Sequence, residues 1–144
     1  MIRNILIISL LCLVSVVAFA RRKRAFLVGI SHYDTALTGY QWNNINGVED
    51  VKLLSPILKG QGFLITPVLD DKATYRNITT QLTFFINKTK KGDIVYLHFS
   101  AHGQPVEDID GDEEDGWDEA IVPIDAYKLY KKGFYEGKYH LLDD

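Results

Sequence analysis

The sequence predicts an α/β fold built on a mostly parallel sheet. Three observations carry this. Short, apolar, branched-residue runs alternate with longer stretches of helical spacing. Glycine–aspartate punctuation separates them. No tight hairpin turn joins the first three apolar runs, so crossover connections with helices on the sheet faces are the expected solution.

The first strand is expected at Ala25 to Ser31 (AFLVGIS), a continuous apolar run suited to burial on both faces. A helix comes next over Gly47 to Lys59, with Val48, Val51, Leu54 and Leu58 on one side and Gly60-Gln61-Gly62 as its stop. Pro56 lies inside this stretch, so a kink or a shortened hydrogen-bond ladder is expected there. Phe63 to Leu69 reads as the second strand and Asp70-Asp71 as a turn. The second helix spans Thr74 to Thr89, with Ile78, Leu82, Phe85 and Ile86 sharing a face. Lys91-Gly92-Asp93 turns the chain into the third strand, Ile94 to Ser100 (IVYLHFS). Beyond Ala101 the pattern changes: residues 107–119 hold nine acidic side chains in thirteen positions, and the remainder offers only short apolar pieces.

Composition bounds the function. The chain has 144 residues, 47% of them apolar and 24% charged, with a formal net charge of −3. That is the balance of one globular domain, and it gives no footprint for nucleic acid. Cys12 is the only cysteine, which excludes an intrachain disulfide and a cysteine-built zinc cluster. Residues 1–20 differ from the rest. Arg3 precedes the apolar run Ile5 to Val17, and Ala18-Phe19-Ala20 places small residues where a signal peptidase reads. A secretory signal peptide and an exported product are therefore expected. The basic cluster Arg21-Arg22-Lys23-Arg24 keeps a second expectation open, a membrane anchor over residues 5–20. Cleavage after Ala20 would leave 124 residues and remove Cys12. Contact with a membrane is then transient.

Two regions carry chemistry. His102 comes directly after the third strand, at the carboxyl rim where open parallel sheets bind ligands. Gly103 beside it exposes a backbone N–H to whatever approaches. A histidine and an adjacent N–H suit proton transfer with oxyanion stabilisation; the same position suits an exposed loop histidine before a turn glycine. His98 lies inside the strand and reads as a satisfied core histidine. His32 and His140 show no partner in the sequence. In the acidic stretch, Asp108 to Glu119 begins like a calcium loop, but Glu113 stands where an EF-hand needs glycine. A hard divalent cation and a solvated acidic loop both remain compatible with it. No glycine-rich turn comes after Gly29, which excludes a nucleotide-binding βαβ unit.

Several segments taken together resemble the caspase-like cysteine peptidases, and within them the metacaspases and their bacterial relatives. They are Arg24 to Ser31, Gly47-Val48-Glu49-Asp50-Val51, Gly62-Phe63, Ala73-Thr74, Gly92-Asp93, Phe99-Ser100-Ala101-His102-Gly103, Asp112-Glu113, Asp115-Gly116-Trp117-Asp118-Glu119 and Pro123-Ile124-Asp125. The resemblance implies a three-layer α/β/α sandwich, incomplete at its C-terminal side, over residues 21–144. It implies an endopeptidase using a Cys–His dyad, with His102 as the histidine and Gly103 as an oxyanion-hole N–H. It further implies Asp50 at the floor of a pocket for a substrate Arg or Lys, with Ser100 lining it. It implies calcium as an activator rather than a participant in the chemistry, held by Asp118, Asp143 and Asp144. One element is missing. The caspase nucleophile lies about 50 residues beyond its histidine, whereas 42 residues come after His102 and none is cysteine. The expectation is that the thiol lies in the remainder of the peptidase domain within a longer product, and that the 144 residues alone are inactive. The alternative is a pseudo-peptidase acting as a binding or regulatory module.

Overall fold

The computed structural model describes residues 21–33, 42–108, 111, 113–126 and 139–142. The expected signal or anchor segment, residues 1–20 with Cys12, lies outside them, as do Asp143 and Asp144.

The elements run β1 (Lys23–Gly29), α1 (Gly47–Gly60), β2 (Phe63–Leu69), a short 3-10 turn (Asp70–Lys72), α2 (Tyr75–Asn87), β3 (Ile94–Ser100), β4 (His102–Glu107), β5 (Trp117–Val122) and β6 (Leu141–Leu142). The first sheet is parallel throughout, in the order β2-β1-β3. The central strand β1 is the most buried of the three: Ala25, Phe26, Leu27 and Val28 are all fully buried. Its two faces feed two cores. Phe26, Val28 and Ile30 pack with Val68, Ile78 and Phe85 on the α2 side. Ala25 and Leu27 pack with Val51 and Leu58 of α1 on the other. The expected caspase-like α/β architecture is present in the part of it that these elements build.

Local differences have local causes. β1 starts and ends two residues before the expected run. Its basic start, Lys23 and Arg24, is in register with β2 and β3, while Ser31 leaves the ladder to accept Val48 N–H with its Oγ at 2.9 Å. Ser31 thus does the capping that the N-cap residue Asn46 does not. α1 runs uninterrupted through Pro56. The proline is exposed, so the Lys52 carbonyl it leaves without an N–H partner can be hydrated. In α2, Ile86 is 57% exposed and falls off the buried face; at 100° per residue it sits at the edge of the stripe formed by Ile78, Leu82 and Phe85. Thr74 caps that helix by accepting Asn77 N–H.

The two ends of the acidic stretch, and the described residues beyond it, contribute strands. They belong to a second, antiparallel sheet in the order β4-β5-β6. Two features hide it in the sequence. β4 contains Gly103 and Pro105, both poor strand residues. β5 buries Asp118, Ala120 and Val122 on one face, so a carboxylate occupies a core position and breaks the apolar alternation. His98 also differs from expectation. It is half-buried on β3, stacked on Tyr96 with an interplanar angle of 12°, and its Nε2 is buried without a hydrogen-bond partner among the described residues. The cause is that β3 is an edge: among the described residues it pairs with β1 alone. The same edge leaves Val95 43% and Leu97 51% exposed.

Candidate functional site

His102 opens β4, one residue after β3 ends. Ala101 alone separates the parallel sheet from the antiparallel one, so the imidazole stands at the carboxyl rim of β1 and β3. It is not a loop histidine. Its backbone N–H donates to Tyr33 Oη at 2.9 Å, and Tyr33 Oη donates onward to the Val122 carbonyl at 3.1 Å. Burial pushes the Tyr33 phenol up to about 12, against the lowering pull of the His102 N–H. At neutral pH the phenol therefore keeps its proton and ties the segment after β1 to the facing residues His102 of β4 and Val122 of β5. The His102 ring is fixed separately. Its Nε2 lies 2.7 Å from the Asn43 carbonyl oxygen. A carbonyl only accepts, so Nε2 carries a proton and Nδ1 is the nitrogen left to exchange one. Trp42 lies 4.9 Å from the imidazole, nearly parallel at 26°, and Tyr33 lies at the same separation, tilted by 48°.

Asp50 and Ser100 come from different elements and meet. Asp50 is in the first turn of α1; Ser100 ends β3. Ser100 Oγ donates to Asp50 Oδ2 at 2.5 Å, and Asp50 is exposed at the rim. Two glycines allow the meeting. A side chain at Gly47 would collide with the carbonyl oxygens of Ser100 and Ile30, and one at Gly29 would collide with the Gly47 carbonyl. The start of α1 can therefore lie directly on the ends of β1 and β3, which puts Asp50 beside Ser100.

Gly103 is exposed and borders an open depression of about 380 Å³ with Gln104, Pro105, Glu119 and Ala120. Asp118 is 1% exposed, facing inward from β5 opposite Val106. It is thus separated from its acidic neighbours, which serve the turn: Asp108 accepts Gly111 N–H at 2.7 Å and Glu113 N–H at 3.2 Å, and Asp115 accepts Trp117 N–H. Among the described residues no three His, Cys, Asp or Glu side chains cluster as a metal site. The other two carboxylates of the expected trio, Asp143 and Asp144, lie outside those residues.

Sequence reasoning missed Tyr33, Trp42 and Asn43, all of which touch His102. It also missed two histidine partners. His32 Nδ1 meets Asp70 Oδ2 at 3.2 Å, and buried His140 meets Gln104 Oε1 at 3.1 Å. Asp70 additionally accepts the N–H groups of Ser31 and His32; burial opposes its charge, but these bonds outweigh it and hold the carboxyl below its usual range.

Strand order, helix placement and the histidine at the sheet rim define a caspase-like α/β domain, and comparison with known proteins specifies it. The family model described as "Metacaspase, peptidase C14 domain" matches residues 23–133, and the chain belongs to that family of caspase-like cysteine peptidases. It is similar to Metacaspase-1 of Meyerozyma guilliermondii, 29% identical over 134 residues, covering 85% of this chain and 29% of that protein. It is similar also to Metacaspase-1B of Aspergillus fumigatus, 31% identical over the same shares of the two chains. Among solved structures it resembles protein GSU0716 from Geobacter sulfurreducens, with a TM-score of 0.66 and 26% identity, covering 85% of this chain and 42% of that one. The chain thus spans 29% of the length of these metacaspases.

Proposed function

We propose that this chain supplies the histidine side of a cysteine endopeptidase that cleaves protein or peptide substrates after Arg or Lys. The observation that carries the reading is the anchored imidazole: Nε2 held on the Asn43 carbonyl, Nδ1 available, at a rim that also presents Gly103 and the Asp50–Ser100 pair. In this reading Nδ1 takes the proton of a cysteine thiol, and the thiolate attacks the scissile carbonyl carbon. The Gly103 N–H helps hold the resulting oxyanion. The imidazolium then protonates the departing amine, leaving a thioester that water hydrolyses. The exposed Asp50 carboxylate, oriented by Ser100, pairs with the cationic P1 side chain. No cysteine occurs among residues 21–144, so the thiol comes from polypeptide beyond these residues, in a longer product.

The test joins the two. In a polypeptide that carries the family's cysteine strand, His102→Ala should lower cleavage of an Arg- or Lys-containing peptide by about 10²–10⁴-fold, the usual worth of a general base. Full activity in that variant overturns the reading. Asp50→Ala should cost about 10–100-fold on basic substrates, the worth of one charge-assisted bond, and little on neutral ones. One other reading is a pseudo-peptidase that binds without cleaving. A cysteine-bearing polypeptide that binds basic peptides and never cleaves them would support it.

Calcium is proposed as an activator held by Asp118 with Asp143 and Asp144. This reading comes from the resemblance to the metacaspases. When bound, the ion would neutralise the Asp118 charge and tie β5 to the C-terminal residues. Calcium should raise the melting temperature of the wild-type chain and not of Asp118→Ala or Asp144→Ala; an equal response in all three retires the site. Export, by a signal peptide over residues 1–20 or as an anchored protein, is proposed from that segment's sequence alone.

A further inference from the structure

We propose that Trp42 is the positioning residue of this site, setting the plane and the protonated nitrogen of the His102 imidazole; the inference rests on the reading of His102 as the proton-exchanging partner of a thiol. A histidine ring turns readily about its last torsion. Turning it half-way round would move Nε2 away from the Asn43 carbonyl and exchange the positions of Nδ1 and a ring carbon. One hydrogen bond leaves such a ring free to swing about the bond axis. A second constraint is present, and it comes from the adjacent residue: the Trp42 indole lies 4.9 Å from the imidazole at 26°, while Asn43 takes the Nε2 proton. Consecutive residues thus fix the plane and the proton.

The indole is itself anchored. Its Nε1–H donates to the Ala126 carbonyl at 3.1 Å. Ala126 is fully buried and belongs to a turn closed by its own N–H on the Pro123 carbonyl. That turn is tied to the start of α2 twice, by Ile124 N–H on the Ala73 carbonyl at 3.0 Å and by Tyr75 N–H on Asp125 Oδ1 at 2.8 Å. Tyr33 completes a three-ring cluster, 6.2 Å from Trp42. Its role differs: its hydroxyl holds the His102 backbone, and its ring, also 4.9 Å from the imidazole, is tilted by 48° rather than stacked on it. The indole therefore carries the rigidity of the α2 end of the core to the imidazole.

The experiment uses the 144-residue chain with isotope-labelled histidine, at low concentration and at a pH where imidazole is neutral, with His102→Gln assigning the signal. Wild type should show a single Nε2–H tautomer, ring protons shifted upfield by the indole, and through-space contacts between the two rings. Trp42→Leu should lose the upfield shift and show both tautomers. Trp42→Phe, which keeps a flat ring, should restore one tautomer. An unchanged tautomer and unchanged ring shifts in a folded Trp42→Leu overturn the proposal. If Trp42→Leu does not fold, wild type decides alone: ring-to-ring contacts support the proposal and their absence overturns it. In the cysteine-bearing polypeptide, Trp42→Leu should lower kcat about tenfold or more through misaimed proton transfer, with KM nearly unchanged. An active His102→Ala enzyme would defeat the dyad reading and leave the tautomer result standing, so the two failures are distinguishable.

Discussion

Tyr33 shows how much one buried oxygen can organise. Its hydroxyl accepts from His102 and donates to Val122, so a phenol from the segment after β1 is fastened to facing residues of β4 and β5. The acid–base consequence has a definite sign. The folded-state phenol is raised to about 12 by burial, above an unfolded value near 10. Below pH 10 the proton is present in both states and the contribution is whole. As pH rises from 10 towards 12 the unfolded chain releases the proton and the folded one keeps it, so stability falls. Urea titrations should show wild type losing more stability over that interval than Tyr33→Phe; parallel losses would remove Tyr33 from the account. These contacts were not legible in the sequence. An aromatic residue in a loop looks the same whether it fills core space or supports a ring, and Tyr33 does both. His102 was singled out by its place after an apolar strand, where an exposed loop histidine fitted as well, while Asp50 and Ser100 entered only through the family resemblance; their meeting across α1 and β3 was not readable from the residues alone.

At the level of elements, the contact between α1 and the strand ends is the tightest joint in the fold. Gly47 meets two strand-end carbonyls, and no flexible side-chain tip is available to yield. Gly47→Ala should therefore destabilise by about 1–3 kcal/mol, the usual cost of overpacking, and should separate Asp50 from Ser100. A thermal melt measures the first effect; an unshifted melt would show that the helix end can move aside. At the opposite end of the sheet, Asp93 ties the β3 turn to β1. It accepts Lys90 N–H and Arg22 N–H and pairs with the Arg24 side chain. The Lys90 N–H above all, against some desolvation and with Arg22 and Arg24 assisting, holds its carboxyl below the usual range. That contribution is present above the unfolded carboxyl value and is lost as pH falls through the folded one. Asp93→Asn should melt below wild type at pH 7, with the gap closing in acid; a gap constant with pH would contradict it. β2 and β3 were readable to the residue because each is a mainly apolar run that begins directly after a glycine or an aspartate, Gly62 and Asp93. β4 and β5 were not, since a proline, a glycine and an inward carboxylate disguise their alternation.

At the scale of the molecule, β1 is paired on both sides, while β3 is paired on one side only among the described residues. β1 is buried on both faces, whereas β3 presents Ile94, Val95 and Leu97 at 43%, 43% and 51% exposure. A flat apolar edge of this kind invites pairing with another chain. The 144 residues alone should associate increasingly with concentration in sedimentation experiments; a monomer at all concentrations would show the edge is covered. The same preparation should not cleave Arg- or Lys-containing peptides, and unaided cleavage would mean that Cys12 or a nucleophile other than cysteine operates. The junction at Ala101 has a further mechanical meaning. Because a single residue joins the two sheets immediately before the imidazole, that ring rides on their hinge. Any partner that tilts one sheet against the other would re-aim the imidazole without touching it.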